Sequence, residues 1–244
     1  MTRRVCTFAV ATALLALVHA GSAGARPSGQ FVSCAAANGG CRLPLPRLDA
    51  PPLSDAAAAR LVHRSRWEPR PDNAAANHRV PSSSDLAYFR AHSEMAYKEQ
   101  VTGAYTGTTD EILQWAAYKH GLDPDLLRAV AAAESWWHMS TVGGEADSFG
   151  LFQIRRPYHC CDFLAAGDTA FNADYYAAIL RAYYDGRETW LNNVTGNGAP
   201  YRPGDLWGSV GAWFSGRWHD PGAEGYIAKV KLYLRLRVWR QRGF

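Results

Sequence analysis

The feature that most constrains this chain is an alanine-rich run that ends on a single carboxylate. Residues 123–154 read DPDLLRAVAAAESWWHMSTVGGEADSFGLFQI. Asp123 is a good N-cap, and Pro124 follows at the first helical position, where no N–H is needed. Leu126, Leu127, Val130, Ala131 and Ala133 recur at helical spacing. The alanines leave little side chain between this helix and its neighbours, so their backbones can approach closely. The pattern predicts the central, most buried helix of the fold, with Glu134 at its C-terminal end. A polar loop with Gly143 and Gly144 follows. Apolar sequence resumes at Ser148-Phe149-Gly150-Leu151-Phe152-Gln153-Ile154.

Helical punctuation continues on both sides. Ser83, Ser84 and Asp85 offer an N-cap for a helix from Asp85. Asp110 can cap residues 111–120, and Gly121 sits where a left-handed residue closes a helix. Asn172 can cap residues 173–184, with an end near Gly186. Asp205 caps residues 206–215, with Gly216 after it. Asp220-Pro221-Gly222 is a turn. Residues 223–240 fit both periods: Leu232, Leu234, Leu236 and Val238 alternate, whereas Ile227, Val230, Leu234 and Val238 form a helical stripe. With helices all around, helix is the choice, and no sheet is expected. The fold class is therefore mainly α, preceded by a Pro/Ala-rich leader.

That leader separates from the rest by composition. Eight of the 13 prolines precede residue 82, among alanine and serine runs. Residues 26–104 read as an extended, partly disordered leader with short helices near residues 55–63; residues 105–244 read as the folded domain. Residues 1–25 read as an export signal: Arg3 and Arg4, an apolar run over residues 5–18, and small residues at Ala23 and Ala25. The expected protein is secreted or held in the cell envelope, with no stable membrane insertion. Cys34, Cys41, Cys160 and Cys161 then meet an oxidising compartment and are disulfide candidates. A bond between adjacent Cys160 and Cys161 fits normal disulfide geometry poorly. The expected pairing instead joins one of them to each of Cys34 and Cys41. His159 alone lies near the cysteines, so no metal or other cofactor is expected.

A net charge of +4 is too small to point to nucleic acid, but it suits an anionic polymer as partner. The eight histidines form no catalytic constellation, and Ser135 lacks the context of a serine nucleophile. Glu134 is the candidate for chemistry. Beside Trp136 and Trp137 it would sit in a low-dielectric pocket, which raises its pKa, and the negative helix end pushes the same way. A protonated glutamate in a cleft can act as general acid on a glycosidic oxygen.

Four segments in order carry a resemblance over residues 105–240. They are the lead-in Leu122-Asp123-Pro124-Asp125-Leu126-Leu127-Arg128-Ala129-Val130, the pair Glu134-Ser135 with Ser148-x-Gly150-Leu151-Phe152-Gln153-Ile154, Ala212-Trp213-Phe214-Ser215-Gly216, and Glu224-Gly225-Tyr226-Ile227-Ala228-Lys229-Val230. Together they resemble the soluble-type lytic transglycosylase (SLT) domain of the goose-type-lysozyme-like superfamily. The resemblance implies a lysozyme-like helical domain acting on peptidoglycan glycan strands as a monomer. It implies Glu134 as acid/base, Ser135 as its orienter or a substrate contact, Gln153 as a hydrogen-bonding partner of the sugar, and Gly150 as a point of close backbone approach. Ser148 belongs to the same segment. The implied reaction cuts the β-1,4 bond between N-acetylmuramic acid and N-acetylglucosamine and closes a 1,6-anhydro ring. Trp213 and Phe214 depart from the family's Tyr and Asn, and Tyr226 is then the candidate to supply a hydroxyl.

Two further readings follow. A muramidase that uses water needs a second carboxylate, for which Asp147 and Glu145 in the loop are candidates. A non-catalytic glycan-binding module on the same fold would suit the altered third segment. In either case Trp136, Trp137, Trp213 and Trp218 are candidates to stack on sugar rings, set against ordinary core roles.

Overall fold

The computed structural model of the chain describes residues 45–244. The segment expected to be an export signal, with Cys34 and Cys41, lies outside the described residues. In chain order the helices are α1 Asp55–Ala59, α2 Ala74–Asn77, α3 Ser83–His92, α4 Thr109–Lys119, α5 Pro124–Ser135, α6 Asp162–Gly167, α7 Thr169–Tyr184, α8 Leu206–Ser215 and α9 Pro221–Leu236. The protein is mainly helical, as the sequence pattern predicts. Residues 221–236 are helical and bury the stripe Ile227, Val230 and Leu234. Among the described residues no helix is long and apolar enough to cross a membrane.

A small sheet was not expected. Strands β1 Val142–Gly143, β2 Ser148–Phe149 and β3 Ile154–Arg155 pair antiparallel, with Val142 opposite Phe149 and Phe149 opposite Ile154. Each has only two residues, too few to show a period of two in the sequence.

The helix starts differ from expectation where a better cap stands earlier in the chain. Thr108 caps α4: its hydroxyl accepts from Glu111 N, while the Glu111 carboxylate takes the Thr108 N–H, a reciprocal capping box. Ser82 and Asp85 make the same box for α3. Asp168 caps α7 by accepting from Phe171 N at 2.7 Å, which leaves Asn172 inside the helix rather than at its cap.

The most enclosed helix is α7, not α5. All 16 of its residues are buried, whereas α5 leaves Ala133 and Glu134 part-exposed. A helix apolar all round belongs in the middle of a core; α7 also carries polar groups there, and each must be paired. Fully buried Asp174 accepts from Lys119 Nζ at 2.7 Å and from the Thr102 and Gly103 N–H groups at 2.8 and 3.1 Å, with His120 Nε2 at 2.7 Å. The Lys119 ammonium also meets Asp55 at 2.7 Å. Lys119 thus buries its charge in the core.

From residue 45 the proline-rich segment is packed rather than extended. Ala58 joins the main core. Phe89 lies edge-on to Phe171 with ring centroids 5.2 Å apart. Leu53 N donates to Lys119 O at 2.8 Å, and Glu68 accepts from Thr109 N at 2.6 Å. Packing therefore runs straight across the expected boundary at residue 104. Proline and alanine signalled a linker because neither carries much apolar surface, but the few larger residues here are the ones that dock.

The expected disulfide pairing is corrected as well. Cys160 and Cys161 are bonded to each other, across a cis peptide with Cα atoms 3.1 Å apart.

Candidate active site

The site is built from the end of α5. Its alanines 129, 131 and 132 are buried, so the helix packs closely among α4 and α9 and brings Glu134 to the floor of a cleft. The helix closes on two consecutive left-handed residues, Trp136 and Trp137, with φ of 52° and 64°. Bulky side chains seldom adopt that conformation. Two residues of the proline-rich segment hold it in place. Arg70 Nε donates to Trp136 O at 2.7 Å, and Asn73 Nδ2 donates to Trp137 O at 2.7 Å. Asn73 Oδ1 then accepts from Met139 N at 2.8 Å. Sequence reasoning gave neither residue this role, because nothing local marks an Arg or Asn in a Pro/Ala run as a clamp.

The second segment is tied to the helix end from behind. Buried Ser135 donates to Leu151 O at 2.9 Å, so it joins α5 to the Gly150–Gln153 turn and does not line the cleft. Asn172 holds the same turn. Its Oδ1 accepts from Phe152 N at 3.0 Å, and its Nδ2 donates to Phe149 O and Ala165 O at 3.0 and 2.8 Å. Gly150 has φ +75°, and a Cβ there would stand 2.3 Å from Asn172 Nδ2 and 2.6 Å from Ala165 O. The close approach this glycine permits is therefore inward, against Asn172. Asn172→Ala is expected to lower stability by about 3 kcal/mol, because it orphans three buried backbone groups. A urea unfolding series measures it.

In front of Glu134 lies an open cavity of about 1070 Å³. Ser148, Gln153, Trp213, Glu145, Arg155 and His159 line it, and it reaches Glu188 and Trp190. Gln153 is fixed by donating Nε2 to Thr141 O and Gly150 O at 3.1 and 2.9 Å. Ser148 donates to Asp147 Oδ1 at 3.1 Å.

The carboxyl of Glu134 receives the Tyr226 hydroxyl from α9, and Trp213 of α8 lines the cavity with it. Burial pushes its pKa up to about 7, against the pull of the Tyr226 bond, the Lys229 charge and the Trp213 side chain. Such a group holds a proton near neutrality and can release it. Elsewhere in the cavity lining, burial pushes His159 down to about 4, so its ring is neutral. It stacks on Trp213 at 5.2 Å and faces the Tyr175 hydroxyl through Nδ1 at 2.8 Å. Tyr226 stacks on Phe214, with ring centroids 4.7 Å apart.

The other aromatic candidates divide. Trp137 is fully buried, donates its indole to Arg128 O at 2.9 Å and packs on Trp67 and Phe244. Trp218 is fully buried against Tyr201. Trp136 is exposed but packs on Tyr233 and Phe244 and does not line the cavity. Of the four tryptophans, Trp213 alone lines it. Asp147 does not line the cavity either: its carboxylate pairs with Arg155 Nε at 2.8 Å, and that bond above all holds its pKa below the usual aspartate value. Glu145 is the loop carboxylate that faces the cavity. Among the described residues no three His, Cys, Asp or Glu side chains gather as metal ligands would.

No family profile matches the chain, and no curated protein matches it.

Proposed function

We propose that the protein is an exported enzyme of the cell envelope that cuts peptidoglycan, a lytic transglycosylase of the SLT type. The observation that carries this reading is one carboxyl at the base of an open cleft, with a pKa of about 7, a hydrogen bond from Tyr226 and Trp213 in the same cavity lining. Protonated Glu134 gives its proton to the glycosidic oxygen between N-acetylmuramic acid and N-acetylglucosamine, and that bond breaks. The resulting carboxylate takes the proton of the muramyl 6-hydroxyl. The 6-oxygen closes on the anomeric carbon, which leaves an anhydro end and restores Glu134 to its starting state. No water is consumed.

Gln153 and Ser148 offer polar contacts at the cavity wall, and Trp213 offers an aromatic face. A water-using muramidase is the second reading, and it draws on Glu145 because that carboxylate lines the same cavity.

Purified peptidoglycan incubated with the protein is expected to release soluble muropeptides with anhydro ends, read by mass spectrometry. Reducing ends in their place would transfer the reading to the muramidase. Binding to the sacculus without release would contradict an enzyme and leave a glycan-binding module.

A further inference from the structure

The wall of the cavity carries a histidine whose ring is fixed on one side and open on the other. His159 stacks on Trp213 with planes 21° from parallel, and its backbone N–H is tied to Arg155 O at 3.0 Å. Its Nδ1 lies 2.8 Å from the hydroxyl of Tyr175, a buried residue of α7 packed against Phe89 and Phe171. That nitrogen is the one acceptor the Tyr175 hydroxyl meets among the described residues. Ser93 bears on the same hydroxyl as a donor does, lowering its pKa. A buried phenol that gave its proton nowhere would leave it unpaired. Tyr175 therefore donates and Nδ1 accepts. A neutral imidazole carries one N–H, so Nε2 holds it. Nε2 has no partner among the described residues and is not enclosed by protein, and His159 lines the same cavity as Glu134. Apolar surface lines that cavity too. Ile179, one turn after Tyr175 on α7, and Ala212, next to Trp213 on α8, share an apolar cluster with Tyr175.

We propose that His159 is a specificity-determining residue of the cleft, its Nε2–H donating to the carbonyl oxygen of an acetamido group on the glycan, with Tyr175 as the positioning residue that keeps the proton on Nε2. A glycan strand offers hydroxyl and acetamido groups. A hydroxyl turns donor or acceptor to suit its neighbour and so discriminates little. An amide carbonyl only accepts, and the methyl beside it needs the apolar surface that Ile179 and Ala212 supply. A de-N-acetylated sugar lacks both the acceptor and the methyl and presents an ammonium, a donor facing a donor. A site built to hydrogen-bond one group rejects the analogue that lacks it, because its own polar group is left unpaired.

The inference rests on the reading of the cleft as a glycan site, and its test does not depend on cleavage. Nitrogen NMR of the protein, labelled in its histidine rings, is expected to show the His159 proton on Nε2 and a shift of that N–H when tetra-N-acetylchitotetraose is added. Calorimetry with that tetramer and with its fully de-N-acetylated counterpart then compares wild type with His159→Phe, which keeps a ring against Trp213 and removes the donor. The preference for the acetylated tetramer should fall about tenfold in the variant, and the charge of the second probe cancels in the ratio. Tyr175→Phe should spread the proton over both ring nitrogens and lower affinity for the acetylated tetramer by about half. A proton on Nδ1, no shift on adding the tetramer, or an unchanged preference in His159→Phe overturns the proposal. Should His159→Phe fail to fold, the wild-type spectra decide alone. A wild-type protein that releases no muropeptide sinks the enzyme reading of Glu134, while the spectra and the binding ratio still decide the role of His159.

Discussion

Glu134→Gln is expected to lower peptidoglycan cleavage by about a thousandfold, because the amide can neither give nor take the proton that both half-reactions need. The fold should survive, since glutamine keeps an acceptor for the Tyr226 hydroxyl. Stability should even rise above neutral pH. The folded pKa of Glu134 is about 7, against an ordinary 4.5. Between those values the folded state binds more protons than the unfolded chain, so stability falls as pH rises and the loss is complete above about pH 7. The variant has no such loss. Its unfolding temperature should match wild type near pH 4 and exceed it at about pH 8 by a few degrees, from about 1–3 kcal/mol. Equal melting at both pH values would mean that Glu134 titrates as an ordinary surface carboxylate. Buried Asp168 is also pushed up to about 7, but it is present in both proteins and cancels in the comparison.

Asp174→Ala is expected to cost about 3–5 kcal/mol, the range for breaking a buried ion pair by removing one partner. Lys119, 4% exposed at its side chain, would keep only Asp55 as counter-ion. The Thr102 and Gly103 N–H groups would be orphaned. That loss is a large share of a typical domain's stability. The pH dependence follows from the same contacts. Burial alone would raise the Asp174 pKa, but Lys119 and His120 lower it by more, so it lies below the ordinary value of 3.8. An acid depressed on folding contributes stability above its unfolded pKa and loses it as pH falls through the folded one. Asp174 therefore supports the fold throughout the neutral range and fails only in strong acid. Urea unfolding of the variant at neutral pH measures the cost; a loss under 1 kcal/mol would mean that the Lys119 charge finds solvent.

The two predictions concern elements that were legible to different degrees. The α5 helix with its Asp123 cap, Pro124 and Glu134 could be read from the chain, because caps and helical periodicity are local. So could α8, closed by Gly216 at φ +66°. What places Glu134 could not be read. Arg70 and Asn73 reach the end of α5 across more than sixty residues, and Asn172 was taken for a cap because Asp168, one turn before it, was overlooked. Trp136, Trp137 and Trp218 looked like Trp213 in the sequence. Only packing separates Trp213 in the cleft from Trp137 and Trp218 in the core and Trp136 on the outer surface, since an indole suits any of these places. Asp147 is likewise a candidate from sequence alone and is engaged by Arg155 in the structure, for a loop carboxylate has no sequence mark of its partner.

Digestion of peptidoglycan in heavy-oxygen water tests the central claim most directly. If Glu134 alone serves as acid and then base, the new muramyl ends close on their own 6-oxygen. The released fragments should then carry no label and be lighter by one water than hydrolysis products. Label at the new reducing ends would contradict the account and show that water, not the sugar hydroxyl, is the acceptor.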